Sequence, residues 1–232
     1  MKKHSKKYVE VAKNVENGKL YSKEEATKLV KSTTVTKFDS TVEVAIKLNV
    51  DSKKSDQQLR GSLVMPNGTG KSKKVLVIAK GELAEQAKNA GADFVGDKDM
   101  LDKIKTENWF DFDVVVATPD MMPEVGKIGN ILGPKGLMPN PKTGTVTVKV
   151  ADVVKDLKSG MVTYKTDSYG NVHTIIGKVS FDEKKLLENL EYVITTINKA
   201  KPQAVKGVFI ESIAISTTMG PGIKVDKNSF DI

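Results

Sequence analysis

Two different kinds of strand signal occur in this chain, and together they constrain its fold more than any other feature. Over residues 41–50 apolar and polar positions alternate. Val42, Val44, Ile46, Leu48 and Val50 fall on one face, and Glu43, Ala45, Lys47 and Asn49 on the other. A strand of that pattern buries one face and leaves the other in polar surroundings. Further along, Val75-Leu76-Val77-Ile78-Ala79 and Val114-Val115-Val116-Ala117 are apolar throughout, as strands covered on both faces are. Between them lie helical stretches at 81–90 and 100–107, separated by Phe94-Val95. Strands alternating with helices of this length indicate βαβ units and a parallel sheet. A strand at 145–150 and a helix at 153–158 are expected to follow.

From Met161 the alternating style returns. Candidate strands at 161–166 and 172–180 flank the turn Asp167-Ser168-Tyr169-Gly170-Asn171. Ser180 or Asp182 then caps an amphipathic helix carrying Leu186, Leu187, Leu190, Val193, Ile194 and Ile197, which Lys201-Pro202 ends. A last apolar segment covers 208–216. Near the start, Ser22 and Glu25 stand at capping-box spacing. The expected fold class is therefore mixed α/β and α+β in two domains. Residues 1–66 and 159–232 form a terminal α+β sandwich, with a βαβ domain of residues 67–158 inserted in it. Two consecutive domains would also produce this order of patterns. An insertion places two linkers side by side, which makes Pro66, Asn67, Gly68, Ser159 and Gly160 hinge candidates.

Charge is unevenly distributed. Residues 1–66 hold 14 basic and 8 acidic residues, residues 67–158 hold 14 and 13, and residues 159–232 hold 9 and 8. Excess positive charge at the N-terminal end favours polyanions, although a soluble basic protein would carry the same balance. Of the 37 basic residues only Arg60 is arginine. Lysine is a point charge without arginine's bidentate fork, so any RNA recognition is expected through shape, backbone and small polar groups. The chain has no cysteine, which excludes disulfides and thiolate metal sites. Its first residues are positive but lead into no apolar run, unlike a secretory signal. No stretch approaches the roughly 20 apolar residues of a membrane span. A cytoplasmic protein is expected.

Catalytic motifs are sparse. Gly68-Thr69-Gly70-Lys71-Ser72 ends like a phosphate-binding loop, but the position five before Gly70 is Met65 where such a loop needs glycine. Lys80-Gly81-Glu82 follows the Val75 strand and puts an acid where a pyrophosphate would sit. His4 and His173 are the only histidines, and Asp97, Asp99 and Asp102 sit at a helix start, where the dipole favours carboxylates. No catalytic residue, metal site or cofactor is expected. The densest signal is residues 126–145, with five glycines and three prolines. It reads as a loop of fixed backbone shape, with Leu137 and Met138 exposed to pack on a partner or packed internally. Thr217-Thr218-Met219-Gly220-Pro221-Gly222 ends the last strand with hydroxyls, a thioether and flexible backbone. RNA can approach such a segment closely, although an ordinary strand-end turn has the same make-up.

The run Ile131-Leu132-Gly133-Pro134-Lys135-Gly136-Leu137-Met138-Pro139-Asn140-Pro141-Lys142-Thr143-Gly144-Thr145 resembles the signature loop of the large-subunit ribosomal protein one family, in its bacterial form. Other stretches agree in order and spacing: Lys37-Phe38-Asp39-Ser40-Thr41-Val42-Glu43, Ser55-Asp56-Gln57 with Arg60-Gly61, Gly68-Thr69-Gly70-Lys71, His173-Thr174-Ile175-Ile176-Gly177-Lys178, and residues 216–221. The resemblance covers essentially the whole chain. It implies a Rossmann-like inserted domain and a non-enzymatic protein of the mobile side stalk, monomeric when free.

The partners it implies are large-subunit rRNA, exit-site tRNA whose release it assists, and the mRNA of its own operon, whose translation it represses. Carried over by motif, the RNA-binding residues are Lys37, Phe38, Thr41, Glu43, Lys165, Gly177, Lys178, Thr218, Met219 and Gly220. Phe38 and Met219 would meet ribose and base faces, while Thr41, Thr218 and Glu43 would bond ribose hydroxyls. Lys37, Lys165 and Lys178 would neutralise phosphate. The sequence departs from the family's common pattern at Asn67, often histidine, at Lys135 and Lys165, often arginine, and at Glu211, more usually basic.

Overall fold

The computed structural model describes residues 5–54 and 56–230. His4 and Ser55, both singled out above, lie outside the described residues. The elements in chain order are α1 (Lys6–Ala12), α2 (Lys23–Ser32), β1 (Thr41–Leu48), β2 (Arg60–Val64), β3 (Val75–Ile78), α3 (Glu82–Asn89), β4 (Phe94–Gly96), α4 (Lys98–Glu107) and β5 (Val114–Ala117). They continue with α5 (Met122–Lys127), α6 (Gly129–Leu132), α7 (Val150–Ser159), β6 (Met161–Lys165), β7 (Asn171–Lys178), α8 (Glu183–Lys199), β8 (Ile210–Thr217) and β9 (Ile223–Val225). The chain divides into two compact units. One takes the residues up to Gly70 and those from Val162 onward; the other is Lys71–Met161.

In the first unit the alternating segment becomes β1, with Val42, Val44, Ile46 and Leu48 buried and Glu43 turned outward. β7 pairs antiparallel with one edge of β1 and β8 with the other, giving the order β7-β1-β8-β9. Strands from the two ends of the chain thus share one sheet. Ala26 and Val30 of α2 and Leu186, Leu190, Val193, Ile194 and Ile197 of α8 join the inward strand residues in a single core. The start of α2 is closed both ways: the Glu25 N–H donates to Ser22 Oγ at 3.2 Å, and the Ser22 N–H donates to the Glu25 carboxylate at 3.4 Å. Such a cap is worth about 1 kcal/mol. For α8 the cap is Asp182, whose side chain makes no capping bond, while Ser180 is engaged elsewhere, with Asp39. A small second sheet pairs β2 with β6 and adds Leu63, Met65 and Tyr164 to the core.

In the second unit β3 lies between β4 and β5, all parallel. Every residue of β3 is buried, because helices cover both faces. Leu76 and Ile78 belong to a cluster with Leu101 and Ile104 of α4, Val125 of α5 and Leu132 of α6. Ala87 of α3 and Val150, Val154 and Leu157 of α7 are also buried, and α3 and α7 pack together beside β3.

The structure corrects two expectations here. Residues 126–145 are not a continuous loop: α5 ends within them, α6 follows, and Leu137 and Met138 are half-buried against this unit's own core. The apolar residues of that stretch recur at helical spacing, and burying Ile128 and Leu132 outweighs the glycines. Residues 145–150 form no strand either. Only Val146 bridges to Ala117. Thr147 Oγ1 then accepts the Lys149 N–H at 3.0 Å, and the chain turns into α7 at Val150.

Candidate nucleic-acid interface

The antiparallel register decides what meets what. Thr41 stands opposite Lys178 across the β1–β7 pair, and Val42 opposite Thr217 across the β1–β8 pair. The start of β1, the end of β7 and the end of β8 therefore form one rim of the sheet. Lys37 and Phe38 lead into that rim, and Thr218, Met219 and Gly220 lead out of it. Every expected RNA-binding residue lies there except Lys165.

Hydrogen bonds hold the rim together. Lys178 Nζ donates to Thr41 Oγ1 at 2.8 Å. The Thr41 N–H donates to Thr218 Oγ1 at 3.2 Å, while the Thr218 N–H donates to the Thr41 carbonyl at 3.1 Å. Behind Phe38, Asp39 is fixed by Ser180: its carboxylate accepts the Ser180 N–H at 3.0 Å and the Ser180 hydroxyl at 2.8 Å. Thr36 donates to the Phe38 carbonyl at 3.0 Å and pairs with Ser40. These bonds brace the short segment before β1, so Phe38 stands 61% exposed on a fixed base. Met219, on the segment that leaves the rim, is 62% exposed. Two large apolar side chains held out beside lysines and hydroxyls form a surface suited to a partner with both apolar faces and negative charge.

β7 departs from regular pairing at this rim. Gly177 faces Val42 but Ile175 faces Glu43, so the strand bulges at Ile176. Gly177 adopts φ 153°, and a Cβ there would sit 2.9 Å from both Leu186 and Phe181. Only glycine allows β7 to approach α8 this closely, and the bulge sends Lys178 toward Thr41.

Three participants in the rim escape a reading of the sequence. Asp39 stands out there only as one letter of a motif, yet it anchors the rim through Ser180. Asn189, the fully buried polar residue of α8, carries no signal at all. Ile175 is 37% exposed and faces Glu43 across the strands. Its signal is present: in β7 the inward positions are Val172, Thr174 and Ile176, so the isoleucine at an outward position breaks the pattern.

Lys165 lies elsewhere. It ends β6, whose chain crosses to β7 where Thr166 bridges Val172, and that part of β7 faces Ile46 rather than Thr41. Five residues of strand separate the two positions, about 17 Å. Arg60 is close by, because the Thr166 N–H donates to the Leu59 carbonyl at 3.0 Å. Tyr169, 77% exposed, tips the same hairpin. Ser52 donates to the Ser168 carbonyl, which brings the loop carrying Lys53 and Lys54 to it. Within the hairpin Asp167 gathers hydrogen bonds from the Asn171 N–H and amide, the Tyr169 N–H and His173. They lower its pKa to about 2, the Asn171 backbone bond contributing most.

Among the described residues no group of three or more histidine or acidic side chains is placed to hold a metal ion, and no helix is long and apolar enough to cross a membrane. The first unit thus carries a rim of hydroxyls, amines and braced apolar side chains, and a helix-covered parallel-sheet unit is inserted in sequence between its two halves. The model of the Ribosomal protein L1p/L10e family matches residues 29–221, and the chain belongs to that family. It is accordingly a structural protein of the large ribosomal subunit that binds rRNA, not an enzyme. The match takes in β1, the whole inserted unit and the end of β8, and so includes every residue of the rim.

Proposed function

We propose that the rim formed by Phe38, Thr41, Lys178, Thr218 and Met219 is the rRNA-binding surface and that it reads folded RNA by its ribose edge and shape. The observation that carries this reading is the convergence of three distant chain segments on one strand end, held by the Thr41–Thr218 and Lys178–Thr41 hydrogen bonds. Hydroxyls can donate to and accept from 2′-hydroxyls, which distinguish RNA from DNA. Glu43, exposed beside Ile175 and Ser216, serves as an acceptor for 2′-hydroxyls rather than a phosphate contact. Titrating the protein with a stalk rRNA fragment at two salt concentrations tests the surface. Wild-type affinity for both Thr218→Val and Met219→Ala would remove it from consideration.

A second RNA contact is favoured by the opposite rim. Arg60, Lys165, Lys53 and Lys54 lie on segments that meet the hairpin tipped by the exposed Tyr169, a combination of phosphate-neutralising charge and a stacking platform. We assign this rim to exit-site tRNA, whose release the protein assists while its other rim holds the stalk. The crossing segments around Pro66, Asn67, Gly68, Ser159 and Gly160 are where the chain would bend during that movement. Repression of the protein's own operon needs no third surface: an mRNA folded like the stalk would occupy the Thr41–Thr218 rim in place of rRNA. Competition between the stalk fragment and operon leader RNA, with tRNA added separately, distinguishes one shared rim from two independent ones.

A further inference from the structure

Asn189 is the one fully buried amide side chain among the described residues, and it sits on α8 facing the bulge of β7. Its three hydrogen bonds join parts of the chain far apart in sequence. Oδ1 accepts the Asn67 N–H at 3.1 Å, and Nδ2 donates to the Gly68 carbonyl at 3.1 Å and to the Ile176 carbonyl at 2.7 Å. One N–H and two carbonyls around the amide fix its orientation, since the flipped amide would face its oxygen to both carbonyls. The Ile176 carbonyl belongs to the extra residue of the bulge, which the β1–β7 ladder leaves out. Asn189 therefore satisfies a group that the strand pairing cannot. Replacing it would leave the buried Ile176 carbonyl, and the half-buried Gly68 carbonyl and Asn67 N–H, without this partner.

The segment it holds, residues 67–70, is the one by which the chain leaves the first unit. Asn67 is fastened a second time, its amide donating to Glu188 at 2.7 Å. At the far end of the segment Gly70 lies against the stem of Lys178: a Cβ there would stand 2.7 Å from Lys178 Cγ and 3.1 Å from the Phe181 ring, at φ 74°. The Lys178 side chain thus runs between two neighbours. Its stem rests on Gly70, and its amine donates to Thr41 Oγ1 at the rim.

We infer that Asn189 and Gly70 are positioning residues of the RNA site, holding the departing segment against β7 so that RNA bound at Lys178 and the conformation of residues 67–70 are coupled. This rests on the assignment of the Thr41–Thr218 rim as the rRNA surface. Neither residue needs to touch RNA. Asn189 sets the position of the bulge that aims Lys178, and Gly70 leaves room for the lysine stem to lie straight toward Thr41. Linkage is reciprocal: if the held segment favours RNA at Lys178, then RNA must stabilise the held segment.

Two measurements test the coupling. The first is a double-mutant cycle on stalk-fragment affinity with Gly70→Ala, Lys178→Ala and the double variant. The expected result is a loss of about five- to tenfold for Gly70→Ala alone and no further loss when it is added to Lys178→Ala. The second needs no variant: hydrogen exchange of the Asn67 amide, whose N–H is held by Asn189, should slow about tenfold when the fragment binds. Equal losses from Gly70→Ala in both backgrounds, or an Asn67 amide unaffected by RNA, overturns the coupling. If Thr218→Val and Met219→Ala weaken binding while Gly70→Ala binds as the parent does, the coupling fails and the rim stands. Should all three bind as the parent does, the rim fails and the coupling with it.

Discussion

Thr41 and Thr218 hold each other's backbone. The Thr218 hydroxyl accepts the Thr41 N–H at 3.2 Å, and the Thr218 N–H donates back to the Thr41 carbonyl at 3.1 Å. The hydroxyl's remaining lone pair, and its proton, donated only weakly to the Thr41 carbonyl across an O···O distance of 3.4 Å, are what a ribose can use. Thr218→Val keeps the shape but removes the acceptor from a backbone N–H as well as the outward group. A loss of about 1–3 kcal/mol in binding is expected, together with a smaller loss in stability from the orphaned N–H. Thr218→Ser should keep both functions, and binding within about twofold of the parent, about 0.4 kcal/mol, would confirm that the hydroxyl rather than the methyl is what counts. Isothermal titration with the stalk fragment and a denaturant melt of each variant separate the two effects.

Gly177→Ala tests whether the bulge is required for the fold or only for RNA. The new methyl would come within 2.9 Å of Leu186 and Phe181, two side chains anchored in or against the core. Overpacking of that kind costs about 1–3 kcal/mol. The denaturation midpoint should fall at unchanged slope, and RNA affinity should fall with it, because Lys178 is the next residue. An unchanged midpoint would show that α8 can move aside.

What is legible in the sequence follows the length of each signal. β1 and α8 are readable because alternation and helical spacing repeat over several turns of pattern, and the apolar residues they predict join the observed core, with Val50 at its edge and Leu187 outside it. Short elements are not. β2 and β9 span only five and three residues, too few for a period to emerge, and they exist because β6 and β8 offer edges to pair with. The 126–145 segment misleads because its glycines and prolines mask Ile128 and Leu132, whose burial only tertiary packing decides. At the rim, Phe38 and Thr41 emerge only through family resemblance, while Thr218 and Met219 stand in a strand-end segment whose make-up also fits an ordinary turn, so the resemblance decides there too. Asn189 stays hidden, since a lone asparagine on a helix carries no mark of the two carbonyls it will meet.

The hairpin at Asp167 should loosen in acid at a lower pH than an ordinary aspartate would allow. Its carboxylate is lowered from 3.8 to about 2, chiefly by the Asn171 N–H and then by the Asn171 amide. A carboxyl depressed in the folded state contributes stability that is present above its unfolded pKa and lost as pH falls through the folded value. The stability difference between the parent and Asp167→Ala should therefore be constant above roughly pH 5 and shrink steadily toward about pH 2. Carbon-detected NMR titration of the Asp167 carboxyl gives the folded pKa directly. A midpoint near 3.8 would mean that the Asn171 bonds do not form in solution.

The separation of the lysines gives the sharpest test of where rRNA lies. Removing one lysine–phosphate pairing should reduce the salt slope of binding by about one. Lys37 leads into the Thr41 rim, and Lys178 donates to Thr41 Oγ1 within it, so Lys37→Ala and Lys178→Ala should each flatten the slope for the stalk fragment. Lys165 ends β6, outside the four-stranded sheet and near the Val172 part of β7, about 17 Å along the strands from Thr41, beyond the Debye length of about 8–10 Å at physiological salt. Lys165→Ala should leave the slope for the stalk fragment unchanged and reduce it for tRNA instead. Lys178→Ala carries a second signature that Lys37→Ala lacks. It removes the donor to Thr41 Oγ1 and the stem against Gly70, so affinity should fall even when extrapolated to about 1 M salt, where the counterion term is small. A slope for the stalk fragment that falls equally for all three variants would place rRNA across both rims and remove the basis for assigning tRNA to one of them.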